Sequence, residues 1–195
     1  MSKKIITKIG KLNNSEIIDV SEIHFNSMRG VFSKLGIEFI KKYYQSVNKN
    51  GLFYCKKING KVLGYCCWVY DTNKVNIYFL KSNFLFLMFY VLKNLFTHKT
   101  IILTKLFLFT TFRKNFHLPK SEFVAIAKMQ QFNYPFTKNA LTAMEKDLKK
   151  NKITKYFVCV NSKLTSVKKR YLKNKFKEVK KINYIYPCSY FVKSI

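Results

Sequence analysis

The spacing of apolar positions changes along the chain, and those changes mark its elements. "KKIITKI" reads as a short first strand. "SEIIDVSEIHFNSM" sets Ile17, Val20, Ile23 and His24-Phe25 at helical spacing, with Ser15 as candidate N-cap. "LGIEFIKKYYQSV" gathers Leu35, Phe39, Ile40, Tyr43 and Tyr44 on one face and predicts a second helix. In "GLFYCKKINGKVLGYCCWVY" two β-rich runs meet at Asn59-Gly60, a strong hairpin signal. The adjacent Cys66 and Cys67 then point to opposite faces of one strand.

From about Tyr78 to His117 the pattern is apolar almost all round, broken by Lys81, Lys93, Lys99, Lys105, Arg113 and Lys114, with no acidic residue. The stretch predicts two helices joined near 97–100, although β-branched residues weaken the second. "EFVAIAKMQQF" is a nearly continuous apolar run, as expected of a central strand buried on both faces. A helix follows from Phe136, with Phe136, Ala140, Leu141, Met144 and Leu148 on one stripe. "ITKYFVCVN" is a further buried strand, "TSVKKRYLKN" a short basic helix and "FKEVKKINYIY" a closing strand. This order, β, α, α, hairpin, inserted helical pair, then βαβαβ, predicts an α/β fold: a mixed sheet with helices on its faces.

Composition fits one compact domain over residues 1–195, with the insertion near 78–118. Hydrophobic residues make up 48% of the chain, enough for a packed core. The net charge is +28, from 37 Lys and Arg against 9 Asp and Glu. Arginine occurs only at Arg29, Arg113 and Arg170. A field this positive attracts polyanions: nucleotides, coenzyme A, nucleic acid or an anionic membrane face. Five cysteines with no CxxC fit neither a disulfide framework nor a zinc knuckle, so reduced thiols and a cytoplasmic setting are expected. The N-terminus lacks the long apolar core of a signal peptide. "NFLFLMFYVL" falls well short of the ~20 residues that span a bilayer.

Four stretches resemble the GNAT superfamily of acetyl-coenzyme-A-dependent N-acyltransferases. "SEFVAIAKMQQF" is similar to that family's central strand, "ALTAMEKDLKK" to the helix after its pyrophosphate loop and "YFVCVNS" to the next strand. "YLKNKF" resembles its Tyr-x-x-x-Gly-Phe signature. The resemblance covers most of the chain outside the insertion. It implies a mostly antiparallel mixed sheet and acetyl-CoA as the acyl donor. Two departures stand out. The family loop, Gln/Arg-x-x-Gly-x-Gly/Ala, corresponds to "QFNYPFTK", which keeps Gln131 but has no glycine. Lys175 replaces the signature glycine.

The resemblance also assigns roles. Backbone N–H groups near Ile126, Ala127, Lys128 and Met129 would hold the thioester carbonyl oxygen. Gln131, Asn133, Tyr134, Phe136, Thr137 and Lys138 would line the pyrophosphate site, where a helix N-terminus favours an anion whatever its side chains. Without glycine, Tyr134 or Phe136 could instead fill that space. Glu122 is the candidate base and Tyr171 the candidate acid. Glu122 could equally cap or pair with a lysine, and Tyr171 could simply pack. His24 and Arg29 fall on the acceptor side, though a packed, hydrogen-bonded histidine is the plainer reading of His24. His98 and His117 show no metal-ligand pattern.

Two function classes remain open. One is acetyl transfer from acetyl-CoA to a primary amine of a small molecule such as an amino sugar. The other is a non-catalytic scaffold of the same shape that binds a polyanion, nucleic acid or an anionic membrane surface. The insertion has three readings: a cover over the sheet, an interfacial segment at the inner membrane face, or a dimer contact. The lysines from Lys163 to Lys181 form either a solvated face or a funnel for an anionic substrate.

Overall fold

A computed structural model describes residues 6–28, 30–95, 97–99, 101, 117–129, 136–182 and 187–195. In chain order the elements are β1 (Ile6–Gly10), α1 (Asn14–Ser27), α2 (Val31–Leu35), α3 (Ile37–Asn50), β2 (Gly51–Ile58), β3 (Lys61–Val69), α4 (Thr72–Ser82) and α5 (Phe84–Lys93). Then follow β4 (Glu122–Lys128), α6 (Phe136–Lys150), β5 (Lys155–Asn161), α7 (Thr165–Lys173), β6 (Lys177–Ile182) and β7 (Cys188–Ser194). The strands make one seven-stranded sheet, ordered β1-β2-β3-β4-β5-β7-β6. Every pairing is antiparallel except β4 with β5.

Period-two alternation sorts side chains between two cores. On one face Phe53, Cys55, Tyr65, Cys67 and Val69 pack with α1, α3, α4 and α5. On the other, Tyr54, Cys66 and Trp68 pack with α6 and the C-terminal strands. Cys66 and Cys67 therefore serve opposite cores, as the alternation predicts. The hairpin turns at Asn59 and Gly60, whose φ values of 49° and 78° are those of a type I′ turn. Gly51 has a different constraint, close approach: a Cβ there would lie 2.1 Å from the Trp68 carbonyl oxygen.

Buried polar groups fix the helices to the sheet. His24 Nδ1 lies 2.6 Å from Tyr44 Oη, and Tyr44 Oη lies 2.6 Å from Tyr65 Oη. This chain joins α1, α3 and β3. An unpartnered buried hydroxyl would cost about 1–3 kcal/mol, so the mutual bonds let three polar rings sit in an apolar core. On the other face, Trp68 Nε1 and Tyr70 Oη both donate to Asp147 Oδ2, at 2.9 and 2.8 Å. These bonds hold α6 against β3.

Several expectations from the sequence need correction. Asn13, not Ser15, caps α1: it accepts from the Glu16 N–H while Glu16 accepts from the Asn13 N–H, a capping box. Phe25 is exposed, although its neighbour His24 is buried. The first strand is described over Ile6–Gly10 and runs one residue beyond "KKIITKI", whose first three residues lie outside the described ones. The helical pair begins at Thr72, because Asp71 accepts from the N–H groups of Asn73 and Lys74. The first of the two expected helices is itself broken at Asn83, where α4 and α5 meet at 70°, while near the expected join α5 has ended at Lys93 and residues 98, 99 and 101 are helical again. The rest of that second helix lies outside the described residues. Finally, the chain does not close with "FKEVKKINYIY". That stretch yields edge strand β6, and "CSYFVKS" returns as β7 between β5 and β6.

The "YLKNKF" stretch acquires a physical explanation. At the end of α7 the Phe176 N–H donates to the Tyr171 carbonyl and the Lys175 N–H to that of Leu172, at 3.2 and 3.1 Å. The Tyr171 and Phe176 rings meet edge-on, with centroids 4.9 Å apart. This is a Schellman motif with its hydrophobic contact, and it needs a left-handed residue at position 175. Lys175 supplies it at φ 65°. A side chain in that region costs about 1–2 kcal/mol, while glycine's greater freedom in the unfolded chain costs about 0.4–1 kcal/mol. The first effect wins. Lys175→Gly should stabilise the fold by about 0.5–1 kcal/mol and raise Tm by about 1–4 °C, read by thermal denaturation. An unchanged or lower Tm would contradict this.

Candidate functional site

The site begins where two strands part. β4 and β5 pair only through Glu122 with Phe157 and Phe123 with Val158. The β3–β4 register slips at the same level, Cys67 facing Ala125 while Trp68 faces Phe123, so Val124 is the extra residue of a β-bulge. Packing agrees: Val124 and Ala125 both join the first core, whereas Phe123 and Ile126 join the second. The bulge bends β4, and the parallel ladder stops.

Beyond the bulge, β4 keeps only its β3 neighbour. The Met129 N–H donates to the Leu63 carbonyl at 2.8 Å. By alternation Ala127, opposite Tyr65, also bonds toward β3, and Ile126, opposite Cys66, turns its N–H and C=O away from it. That edge faces a cleft of about 1240 Å³. Of the four residues expected to offer N–H groups, Ile126 and, by the same alternation, Lys128 turn theirs away from β3. The Met129 N–H is already taken, and the Ala127 N–H points to β3; both are corrections to the sequence reading. Lys128 is exposed on the cleft wall.

The cleft runs through the molecule and brings together residues remote in sequence. At one end stand His24, Met28 and Phe32. Burial pushes the His24 pKa down to about 4, so the ring stays neutral near pH 7 as a hydrogen-bonding partner of Tyr44 and Tyr65. At the other end stand Thr137 and Lys138, from the first turn of α6, with Arg170 and Tyr171 from α7. First-turn N–H groups and two cations make that end suited to an anion. The Phe136 ring is buried against Tyr54, with centroids 5.5 Å apart. Its side chain belongs to the core, which leaves its backbone for a ligand.

Glu122 lies in the wall where the strands separate, buried and bordering the cleft. Thr72 Oγ1 stands 2.9 Å from Glu122 Oε2 and 3.2 Å from the Lys120 carbonyl, so one hydroxyl proton serves two acceptors. The Thr72 contact fixes the Glu122 carboxylate from the start of α4. The sequence reading missed Thr72, although the Asp71-Thr72 helix start was visible as a capping signal.

Tyr171 stacks on Phe191 at 5.9 Å, as well as meeting Phe176. Burial, reinforced by Cys66 and opposed by Arg170, raises its pKa far above the ordinary tyrosine value. It therefore remains a protonated phenol on the cleft wall. Cys159 and Cys188 also border the cleft, and the Cys159 thiol donates toward Cys188, which lowers the Cys188 pKa. Gln131, Asn133 and Tyr134, and also Arg29, lie outside the described residues. Among the described residues, no three His, Cys, Asp or Glu side chains gather as a metal site.

No protein-family model matches the sequence, and no curated protein does. Solved structures match throughout. PH1933 from Pyrococcus horikoshii OT3 is 12% identical, with a TM-score of 0.61, covering 98% of this chain and 99% of its own. The Thermoplasma acidophilum PaiA N-acetyltransferase, solved with coenzyme A, is 12% identical with a TM-score of 0.57, covering 97% and 99%. A Desulfovibrio desulfuricans protein assigned to the GNAT family is 9% identical with a TM-score of 0.61, covering 98% and 99%. All three match over nearly their whole length at low identity, which shows a shared architecture: this chain has the GNAT fold.

Proposed function

We propose that the chain is an acyl-coenzyme-A-dependent N-acyltransferase that moves an acetyl group from acetyl-CoA to a primary amine of a small molecule such as an amino sugar. The observation that carries this reading is the Ile126 backbone, turned from β3 into a cleft with cations at one end and His24 at the other. A thioester carbonyl hydrogen-bonded to the Ile126 N–H extends the sheet edge and is polarised there. The thiol arm then follows the gap between β4 and β5, and its phosphates meet Lys138, Arg170 and the start of α6. The amine approaches from the α1–α2 end, where the two reactants are held side by side.

The chain's own groups handle the protons. Glu122 takes a proton from the ammonium form of the acceptor, directly or through water, which frees the nitrogen lone pair to attack. The new C–N bond forms as the C–S bond breaks. Tyr171, which burial keeps protonated, gives its phenolic proton to the departing sulfur, and the second proton that the new amide nitrogen sheds passes through water to restore the phenol. Amino-sugar acceptors rest on the family resemblance alone.

One observation favours a second reading, a non-catalytic scaffold for a polyanion such as nucleic acid. One feature of the surface is a cluster of cations: α7 and β6 expose Lys169, Lys173, Lys177, Lys180 and Lys181 in close succession. Such a surface binds any polyanion, and salt weakens it steeply.

Calorimetric titration with acetyl-CoA separates the two readings. The enzyme reading predicts saturable one-to-one binding in the micromolar range that survives moderate salt. Absent binding, or binding lost with salt, would leave only the scaffold. Steady-state coenzyme A release with a panel of amines tests the roles. Tyr171→Phe should lower kcat by roughly 10- to 100-fold with little change in KM. Glu122→Gln should lower kcat/KM and remove the low-pH limb of the pH–rate profile. Unchanged turnover in either variant, with donor binding intact, would take that residue out of the chemistry.

A further inference from the structure

α5 is apolar on every side, yet only one side is packed. Leu87 is buried, and Tyr90 donates to the Leu35 carbonyl at 2.6 Å, which fixes the inner side on the helical layer. The outer side exposes Phe84, Leu85 and Phe89 at 66%, 64% and 64%, with Met88 and Leu92 beside them. An apolar groove of about 480 Å³ runs along it, lined by Leu80, Phe84, Leu87, Met88, Val91 and Leu92. α4 adds the exposed Ile77 and Tyr78. A continuous apolar surface of this kind marks an interaction site.

The charge around it decides among partners. From Thr72 to Ser121 the sequence holds Lys74, Lys81, Lys93, Lys99, Lys105, Arg113, Lys114 and Lys120, and no acidic residue. Lys81 and Lys93 flank α5 and are exposed, and Lys42 Nζ lies 6.0 Å from the centre of the Phe86 ring. A second copy docked on this face would bring like charges together. Nucleic acid would satisfy the lysines but not the outward Leu, Met and Phe side chains. An anionic bilayer satisfies both, with lysines at the headgroups and apolar side chains below them.

We propose that the outer face of α5, with the end of α4, docks on an anionic lipid bilayer. α5 lies in the plane of the interface. At ten residues it is about 15 Å long, too short to cross. Among the described residues no single helix is long and apolar enough to span, and α4 with α5 is bent by 70°. The cleft and the docking face rest on separate observations, so this proposal stands whether or not the chain transfers acyl groups.

Flotation of the full chain tests it, using vesicles of phosphatidylcholine alone and of phosphatidylcholine mixed with phosphatidylglycerol. The expected result is flotation with the anionic vesicles, much less with the neutral ones, and a loss of at least about tenfold in F84S/F89S. Both rings are exposed, so F84S/F89S should melt like the parent, and a melt confirms it. Equal flotation of F84S/F89S would overturn the proposal, because the general positive field alone would then account for binding. Failure of the parent to float would overturn it too. So would a parent dimer that F84S/F89S renders monomeric without any flotation, since a second copy would then cover the face.

Discussion

The structure depends on one ladder that ends early. β4 and β5 each have seven residues, but they pair over only two positions before a bulge at Val124 turns β4 aside. A sheet interior normally pairs every backbone group, because an unpaired buried amide costs about 1–3 kcal/mol. Here a backbone edge is left facing a cleft. That edge is costly unless water or a ligand completes it, and a planar acyl group is a ligand of matching geometry. The elements that border the cleft, from α1 to α7, follow from where the ladder stops.

Around that gap the two faces are held rigidly by different means. On one face the His24, Tyr44 and Tyr65 chain unites α1, α3 and β3, so the α1 end of the cleft is built on buried, hydrogen-bonded groups. On the other, Asp147 anchors α6 through Trp68 and Tyr70, and the Schellman turn at Lys175 sets Tyr171 against Phe176 and Phe191. The signature tyrosine is thus fixed by backbone geometry as well as packing. The missing glycine is replaced by a lysine forced into the same left-handed conformation. The positive field suits both proposals, since it would draw phosphates to the cleft and the α5 face to anionic headgroups.

Much of this was legible in the residues. The 3.6-residue stripes of α3 and α6 and the Asn59-Gly60 turn were plain, because periodicity and turn chemistry are local properties. The central strand was legible as a long apolar run, and the resemblance named Glu122, Ile126 and Tyr171, which line one cleft. What stayed hidden was non-local. The bulge at Val124 leaves no mark in "EFVAIAK", since two consecutive residues facing one core look like any buried strand. β7 was missed because "CSYFVKS" is short and its place between β5 and β6 depends on pairing. The break at Asn83 was hidden by apolar residues on both sides, and the α1 cap was misread because Ser15 and Asn13 are both capping residues. The commitment of the Met129 N–H to Leu63 depends on register, which no single strand reveals.

The central claim is that the Ile126 backbone edge receives an acyl-CoA thioester. The most direct measurement is the amide resonance and hydrogen exchange of Ile126, followed by NMR as acetyl-CoA is added, with Ala127 as internal reference. The account predicts that the Ile126 amide shifts strongly and gains protection on saturation, while Ala127, already bonded to β3, changes little. An Ile126 amide that neither shifts nor gains protection while acetyl-CoA binds elsewhere would contradict it.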